Sequence, residues 1–157
     1  MRLVVDSSAL IAVVFGEEDA EHFNMVLGAS VAQVHVSAVS LVESTMVAEA
    51  RGGPEAARLL RDLLDAVSAQ IEPVDQEQTR LAIEAWRQFG KGRHPAALNL
   101  GDCFSYALAK RLGAPLLYRG RDFAAAGVNA PEFSPSRAQT TTENEPRPAA
   151  LESTGSE

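Results

Sequence analysis

The chain has 157 residues, 46% hydrophobic and 22% charged, which fits one full-sized core and is too short for two enzyme domains. Fourteen Lys and Arg against 21 Asp and Glu give a formal charge of −7, so the long-range field repels polyanions and any nucleic-acid contact must be local. The single cysteine, Cys103, excludes disulfide frameworks and Cys-rich zinc sites, and the longest apolar run, Ala9 to Phe15, is far short of the roughly 20 residues a bilayer span needs, so a cytoplasmic protein with no membrane segment is expected.

Leu3-Val4-Val5 reads as a buried first strand, broken by Asp6-Ser7-Ser8. Ala9 to Phe15 is apolar all round and reads as an internal helix capped by Ser8. Asp19 to Leu27 is a second helix and Gln33 to Val36 a short strand. Ser40-Leu41-Val42-Glu43 has the form of a capping box, and Val39, Val42, Met46 and Ala50 follow one helix face up to Gly52-Gly53. Pro54 suits the first turn of the next helix, with Leu60, Leu63, Leu64 and Val67 as its buried face.

Ile71 to Val74 is a third strand, and Asp75 caps a helix on which Ala82, Ala85, Trp86 and Phe89 recur at helical spacing. Gly90 to Pro95 is a loop, and a further helix runs from about Gly101-Asp102 to Leu112, stopped by Gly113. Leu116-Leu117-Tyr118 is the fourth strand, Arg119 to Asp122 a turn, and Val128 belongs to a fifth, edge strand. Ser134 to Glu157 is expected to be a disordered tail because it has almost no large apolar side chains to offset the entropy of ordering. The alternation of strands and helices over residues 1–133 implies one α/β domain on a mainly parallel sheet of four or five strands.

Three acids occupy comparable places: Asp6 after the first strand, Asp122 after the fourth, and Asp102 at a helix start, with Glu43 in the first turn of its helix able to join them. Such positions lie at the carboxyl ends of the strands, where open α/β sheets carry their sites. Converging carboxylates repel unless a cation neutralises them, and hard oxygen ligands select Mg²⁺ or, as a substitute, Mn²⁺. A carboxylate-held divalent ion suits phosphodiester hydrolysis. Each acid also has a plain structural role open to it: Asp6 and Glu43 as helix caps, Asp102 as a complement to the helix dipole, Asp122 as a turn residue. Their joint placement favours the site.

Val4-Val5-Asp6-Ser7-Ser8-Ala9-Leu10, Val42-Glu43, Leu98-Asn99-Leu100-Gly101-Asp102 with Tyr106-Ala107-Leu108-Ala109, and Leu116 through Phe123 resemble, in order and spacing, the PIN-domain ribonucleases, above all the VapC-type toxins. The resemblance covers about residues 1–133. It implies an α/β/α sandwich, Mg²⁺-dependent cleavage of single-stranded RNA and a VapB-type antitoxin partner, with Asp6 and Asp102 as principal metal ligands, Glu43 and Asp122 completing the catalytic pocket, and Ser8 supporting the first Asp. Where the family often carries Thr-Asp after Gly-x-Asp-Phe, this chain has Ala126-Gly127, so one contact of that pattern is missing.

Arg119 and Arg121 flank Gly120 and are candidates for RNA phosphate binding; Lys91, Arg93 and His94 form a second basic group. For Trp86 and Phe89, core or dimer packing outweighs base stacking, and Tyr106 shares a helix face with Asp102. Cys103 reads as a small buried hydrophobe. Apolar surface on the Leu60 and Trp86 helices would support a homodimer. A receiver domain lacks its acid pair and late Lys here, and a haloacid-dehalogenase phosphatase lacks its second Asp, where Ser8 stands. The competing reading is a catalytically degenerate PIN-like module that acts by protein binding.

Overall fold

The structure is a computed structural model that describes residues 1–29 and 32–129. The tail expected over residues 134–157 lies outside the described residues. In chain order the elements are β1 (Arg2–Val5), α1 (Ser7–Val14), α2 (Ala20–Leu27), β2 (Gln33–Ser37), α3 (Ala38–Ala66), β3 (Gln70–Glu72), α4 (Gln76–Phe89), α5 (Leu100–Leu112), β4 (Leu116–Leu117) and α6 (Asp122–Ala125). All pairings are parallel, in the order β3-β2-β1-β4.

Strand alternation divides the core in two. Leu3, Val5, Val34 and Val36 join the apolar sides of α1, α2 and α3, whereas Val4 and Leu116 meet α4, α5 and Phe123 on the opposite side of the sheet. Both sheet faces are thus covered, the α/β/α sandwich that the family resemblance implies. Because every strand runs the same way, Asp6, Ser37 and Tyr118 emerge from the same end of the sheet.

Several local expectations are corrected. α1 begins at Ser7, and Asp6 is its cap in place of Ser8: the Asp6 carboxylate accepts from Ser8 N–H at 2.9 Å. α3 begins two residues before Ser40, capped by Ser37, so the expected box at Ser40 and Glu43 does not form and Glu43 sits in the second turn. The expected break at Gly52-Gly53 is present as a kink, where Gly53 at φ 65°, ψ −164° leaves helical geometry and Pro54 opens the second segment. No fifth strand forms at Val128; the neighbouring Asn129 C=O accepts a single bond from Leu116 N–H at 3.1 Å.

The face of α3 marked by Val39, Val42, Met46 and Ala50 is not core. Val42 is 58% and Met46 67% exposed, while the buried positions of this stretch are Ser40, Ser44 and Ala48. Small side chains bring α3 close to α5 and leave the larger apolar ones outside. Leu60 itself is fully buried, while Leu59 beside it on the same helix is exposed.

Candidate active site

Asp6 stands at the exit of β1 and the positive end of α1, 1% exposed. Its carboxylate is fixed by three donors. Ser8 supplies both its N–H and its hydroxyl to Oδ2, at 2.9 and 2.7 Å, and Ser105 Oγ donates to Oδ1 at 2.6 Å. Since Ser105 has one hydroxyl proton and gives it to Asp6, the 2.9 Å contact between Ser40 and Ser105 must have Ser40 as donor. Ser44 Oγ in turn bonds the Ser40 C=O at 2.7 Å. A buried hydroxyl chain from α3 through α5 therefore orients the first acid and leaves Oδ1 with one further lone pair.

Glu43 reaches the same place from α3, where Ser7 Oγ donates to its Oε2 at 3.0 Å. Opposite it lies Gly101: a Cβ there would come within 2.0 Å of Glu43 Oε2, so any larger residue would push this carboxylate aside. Burial raises the Glu43 pKa, the Ser7 bond partly opposes it, and the Asp6 charge adds to the rise.

Asp102 belongs to the capping box that does exist. Asn99 Oδ1 accepts from Asp102 N–H at 2.9 Å and Asp102 Oδ2 accepts from Asn99 N–H at 2.8 Å. Burial pushes the Asp102 carboxyl up to about 6, the Asn99 bond holds it down in part, and the charges of Asp6, Glu43 and Asp122 raise it further. Asp122, the first residue of α6, closes the cleft from the β4 side.

The cleft holds about 290 Å³, and Asp6, Glu43, Asp102 and Asp122 all line it together with Ser8. The four predicted acids are thus brought together. The two arginines are not equivalent. The Arg119 guanidinium bonds Glu17 and Asp19, so it is already neutralised and is not a free phosphate ligand, while its N–H ties β4 to Ser8 Oγ at 3.0 Å. Arg121 is exposed beside Asp122 and makes no ion pair among the described residues. Tyr106 packs on Phe89, with ring centroids 5.6 Å apart, and the hydroxyl that reaches the site comes instead from Ser105, one residue earlier. Cys103 is buried, its thiol pushed up to about 11 by burial and by Asp102.

Ser7, Ser40, Ser105, Asn99 and Gly101 complete the site without having been singled out for it. The Asn-x-x-Asp spacing of a capping box was legible at Asn99, whereas the serine chain joins residues 99 apart and leaves no local signal.

A family model for the PIN domain matches residues 3–129. The chain belongs to the PIN-domain family. Among this PIN domain's relatives, ribonuclease VapC42 of Mycobacterium tuberculosis is 45% identical over 122 residues, 77% of this chain and 92% of the relative. Two solved structures share the fold. VapC20 of M. tuberculosis, described as a sarcin-ricin loop cleaving toxin, superposes with TM-score 0.67 at 22% identity, covering 80% of this chain and 95% of its own. VapBC2 of Rickettsia felis, bound to a promoter DNA fragment, gives TM-score 0.66 at 14% identity, covering 83% and 98%. In this PIN domain, Ala126 is buried against the second core and Gly127 has φ 74°, so the segment that departs from the family pattern packs and turns here.

PIN-domain nucleases of the VapC kind are metal-dependent, and the donor set suits a hard divalent cation. No His or Cys lines the cleft among the described residues. Among the described residues, no three His, Cys, Asp or Glu side chains stand together as a ligand group. Among the described residues no helix is long and apolar enough to cross a membrane.

Proposed function

We propose that this PIN domain is a Mg²⁺-dependent endoribonuclease of the VapC type, the cytoplasmic toxin of a toxin–antitoxin pair. The observation that carries this reading is the convergence of Asp6, Glu43, Asp102 and Asp122 on one cleft whose lining arginine, Arg119, is already paired with other carboxylates. Such a cleft accumulates negative charge that a divalent cation relieves.

Asp6 and Asp102 would hold the ion, each retaining an oxygen lone pair not taken by the hydrogen bonds described. When bound, the ion lowers the pKa of a water and offsets charge developing on the scissile phosphate. The chain's own groups do the rest. Ser8, Ser105 and Ser40 keep Asp6 in one rotamer; either Glu43 or Asp122 accepts the one proton that the attacking water gives up; Arg121 contacts phosphate at the cleft mouth. Residues 1–133 form the nuclease and residues 134–157 an appended tail.

Two partners accompany this reading. A cognate VapB-type antitoxin supplies basic side chains that neutralise the cleft and exclude the metal. A second copy of the chain covers the exposed Val42 and Met46, which line an apolar cavity of about 590 Å³ beside Glu43.

The test is cleavage of total cellular RNA by the purified chain in Mg²⁺ and in EDTA, beside Asp6→Asn. Discrete products that require Mg²⁺ and Asp6 are expected. If wild type and variant are equally inert in Mg²⁺ and Mn²⁺, the degenerate binding module is the better reading.

A further inference from the structure

Beside the acidic cleft, on the far side of Asn99, the surface carries an aromatic ring, two cations and an apolar wall that the catalytic reading does not use. Trp86 is 44% exposed, although its spacing with Ala82 and Ala85 suggests burial. The Arg93 guanidinium lies over its indole, 4.1 Å from the ring centroid. Lys91, Trp86, Ile83 and Leu100 line a cavity of about 400 Å³, and Asn99 lines both this cavity and the acidic cleft. The cavity therefore begins at the residue that caps Asp102.

The loop that carries the cations is preorganised. Lys91 N–H donates to Leu98 C=O at 3.1 Å, Leu98 N–H to Phe89 C=O at 2.9 Å, and Arg93 N–H to Gly90 C=O at 2.9 Å. His94 is tied to the loop, its Nδ1 accepting from Ala96 N–H at 3.0 Å. Gly90 lets the ring stand against the loop, since a Cβ would come 2.5 Å from the indole Cδ1 and 2.4 Å from the Trp86 C=O oxygen.

Two cations stand together here beside an exposed ring. Like Arg2, Arg61, Arg87, Lys110 and Arg121 elsewhere, Lys91 and Arg93 make no ion pair among the described residues, but they flank the cavity that Trp86 lines. Unpaired cations around an exposed indole match a single-stranded nucleotide: every base has a π-face that stacks on aromatic or guanidinium planes, and the adjoining phosphates take the positive charge.

We propose that Trp86, Arg93 and Lys91 form a nucleotide subsite that seats an unpaired base of the RNA strand next to the scissile bond. The base stacks on the Trp86–Arg93 pair, Leu100 and Ile83 wall it, and Lys91 takes a neighbouring phosphate. The subsite rests on the ribonuclease reading for its substrate, but its binding is testable without cleavage. It also gives a chain of net negative charge a local means of holding a polyanion.

Trp86 is the only tryptophan, so tryptophan fluorescence, excited selectively over the two tyrosines, reports this place alone. The full-length chain in EDTA, and Asp6→Asn in Mg²⁺, are titrated with a short mixed-sequence single-stranded oligoribonucleotide and with its duplex. Saturable quenching by the single strand, much weaker with the duplex, is expected. Arg93→Ala should weaken it about 5- to 150-fold, the range for one stacked base, and Lys91→Ala should lower the salt dependence by about one phosphate contact. Silent fluorescence in both preparations, at RNA concentrations that saturate wild-type cleavage, would overturn the proposal. So would a fluorescence change that follows protein concentration without RNA, which would assign the surface to a second copy. Saturable quenching without cleavage by wild type in Mg²⁺ would uphold the subsite while the catalytic reading failed.

Discussion

Asp6 at the end of β1 and Asp102 at the start of α5 face the same cleft and are held in opposite ways. Asp6 is the more deeply buried, yet three donors on two serines saturate most of its acceptor capacity. Asp102 is only partly buried and receives one backbone N–H, with three other carboxylates nearby, and its carboxyl rises to about 6. Depth of burial alone therefore does not predict how a carboxylate is accommodated; the supply of donors does. One acid is oriented in advance by hydroxyl groups, and the other stands among carboxylates with a single backbone donor.

The comparison is broken most severely by removing either acid. Asp6→Asn and Asp102→Asn are each expected to lower RNA cleavage by more than the ~100-fold typical of outer-shell changes, measured on one defined oligonucleotide in Mg²⁺. Next comes the support of Asp6. Ser105→Ala leaves Oδ1 without its donor, so Mn²⁺ affinity by calorimetry should fall about 10- to 100-fold, and Ser105→Thr, which restores a hydroxyl, should recover part of it. Equal affinity in Ser105→Ala would mean that Ser8 alone orients the acid.

Gly101→Ala moves the Glu43 carboxylate while sparing the hydrogen bonds of Asp6 and Asp102, and about a tenfold drop in cleavage with an unchanged circular dichroism spectrum is expected. The smallest effect is on pH dependence. Because the folded state raises the Asp102 pKa from 3.8 to about 6, the metal-free fold binds the proton more tightly than the unfolded chain. Its contribution is favourable below pH 3.8 and is lost as pH rises through about 6. Divalent metal binds the deprotonated carboxylates, so the rise in melting temperature on adding Mg²⁺ should be larger at pH 7.5 than at pH 5. A shift independent of pH would show that Asp102 is not a ligand.

Most of the fold was legible because its signals are local. Four β-branched or leucine-rich runs became four parallel strands, Asp75 and Gly113 ended or began helices where expected, and Gly53 broke the long helix. The errors share a cause. Val39, Val42, Met46 and Ala50 have the periodicity of a buried face, but periodicity cannot tell which neighbour a helix meets, and α5 meets the serine side. The Ser40–Glu43 spacing matched a capping box, yet Ser37 begins the helix one turn earlier and leaves the Ser40 hydroxyl free for Ser105.

The amino-acid sequence by itself determined the α/β architecture, the positions of Asp6, Asp102 and Asp122 at element ends, and the acidic character that asks for a hard cation. These follow from residue type, spacing and strand direction, all of which act over a few residues. Only the tertiary structure decided that Ser105 fixes Asp6, that Gly101 makes room for Glu43, that Arg119 is neutralised by Glu17 and Asp19, and that Arg93 lies on an exposed Trp86. Each is a contact across elements, set by how closely two helices approach or which side chain a turn meets, and no pattern along one segment encodes that distance.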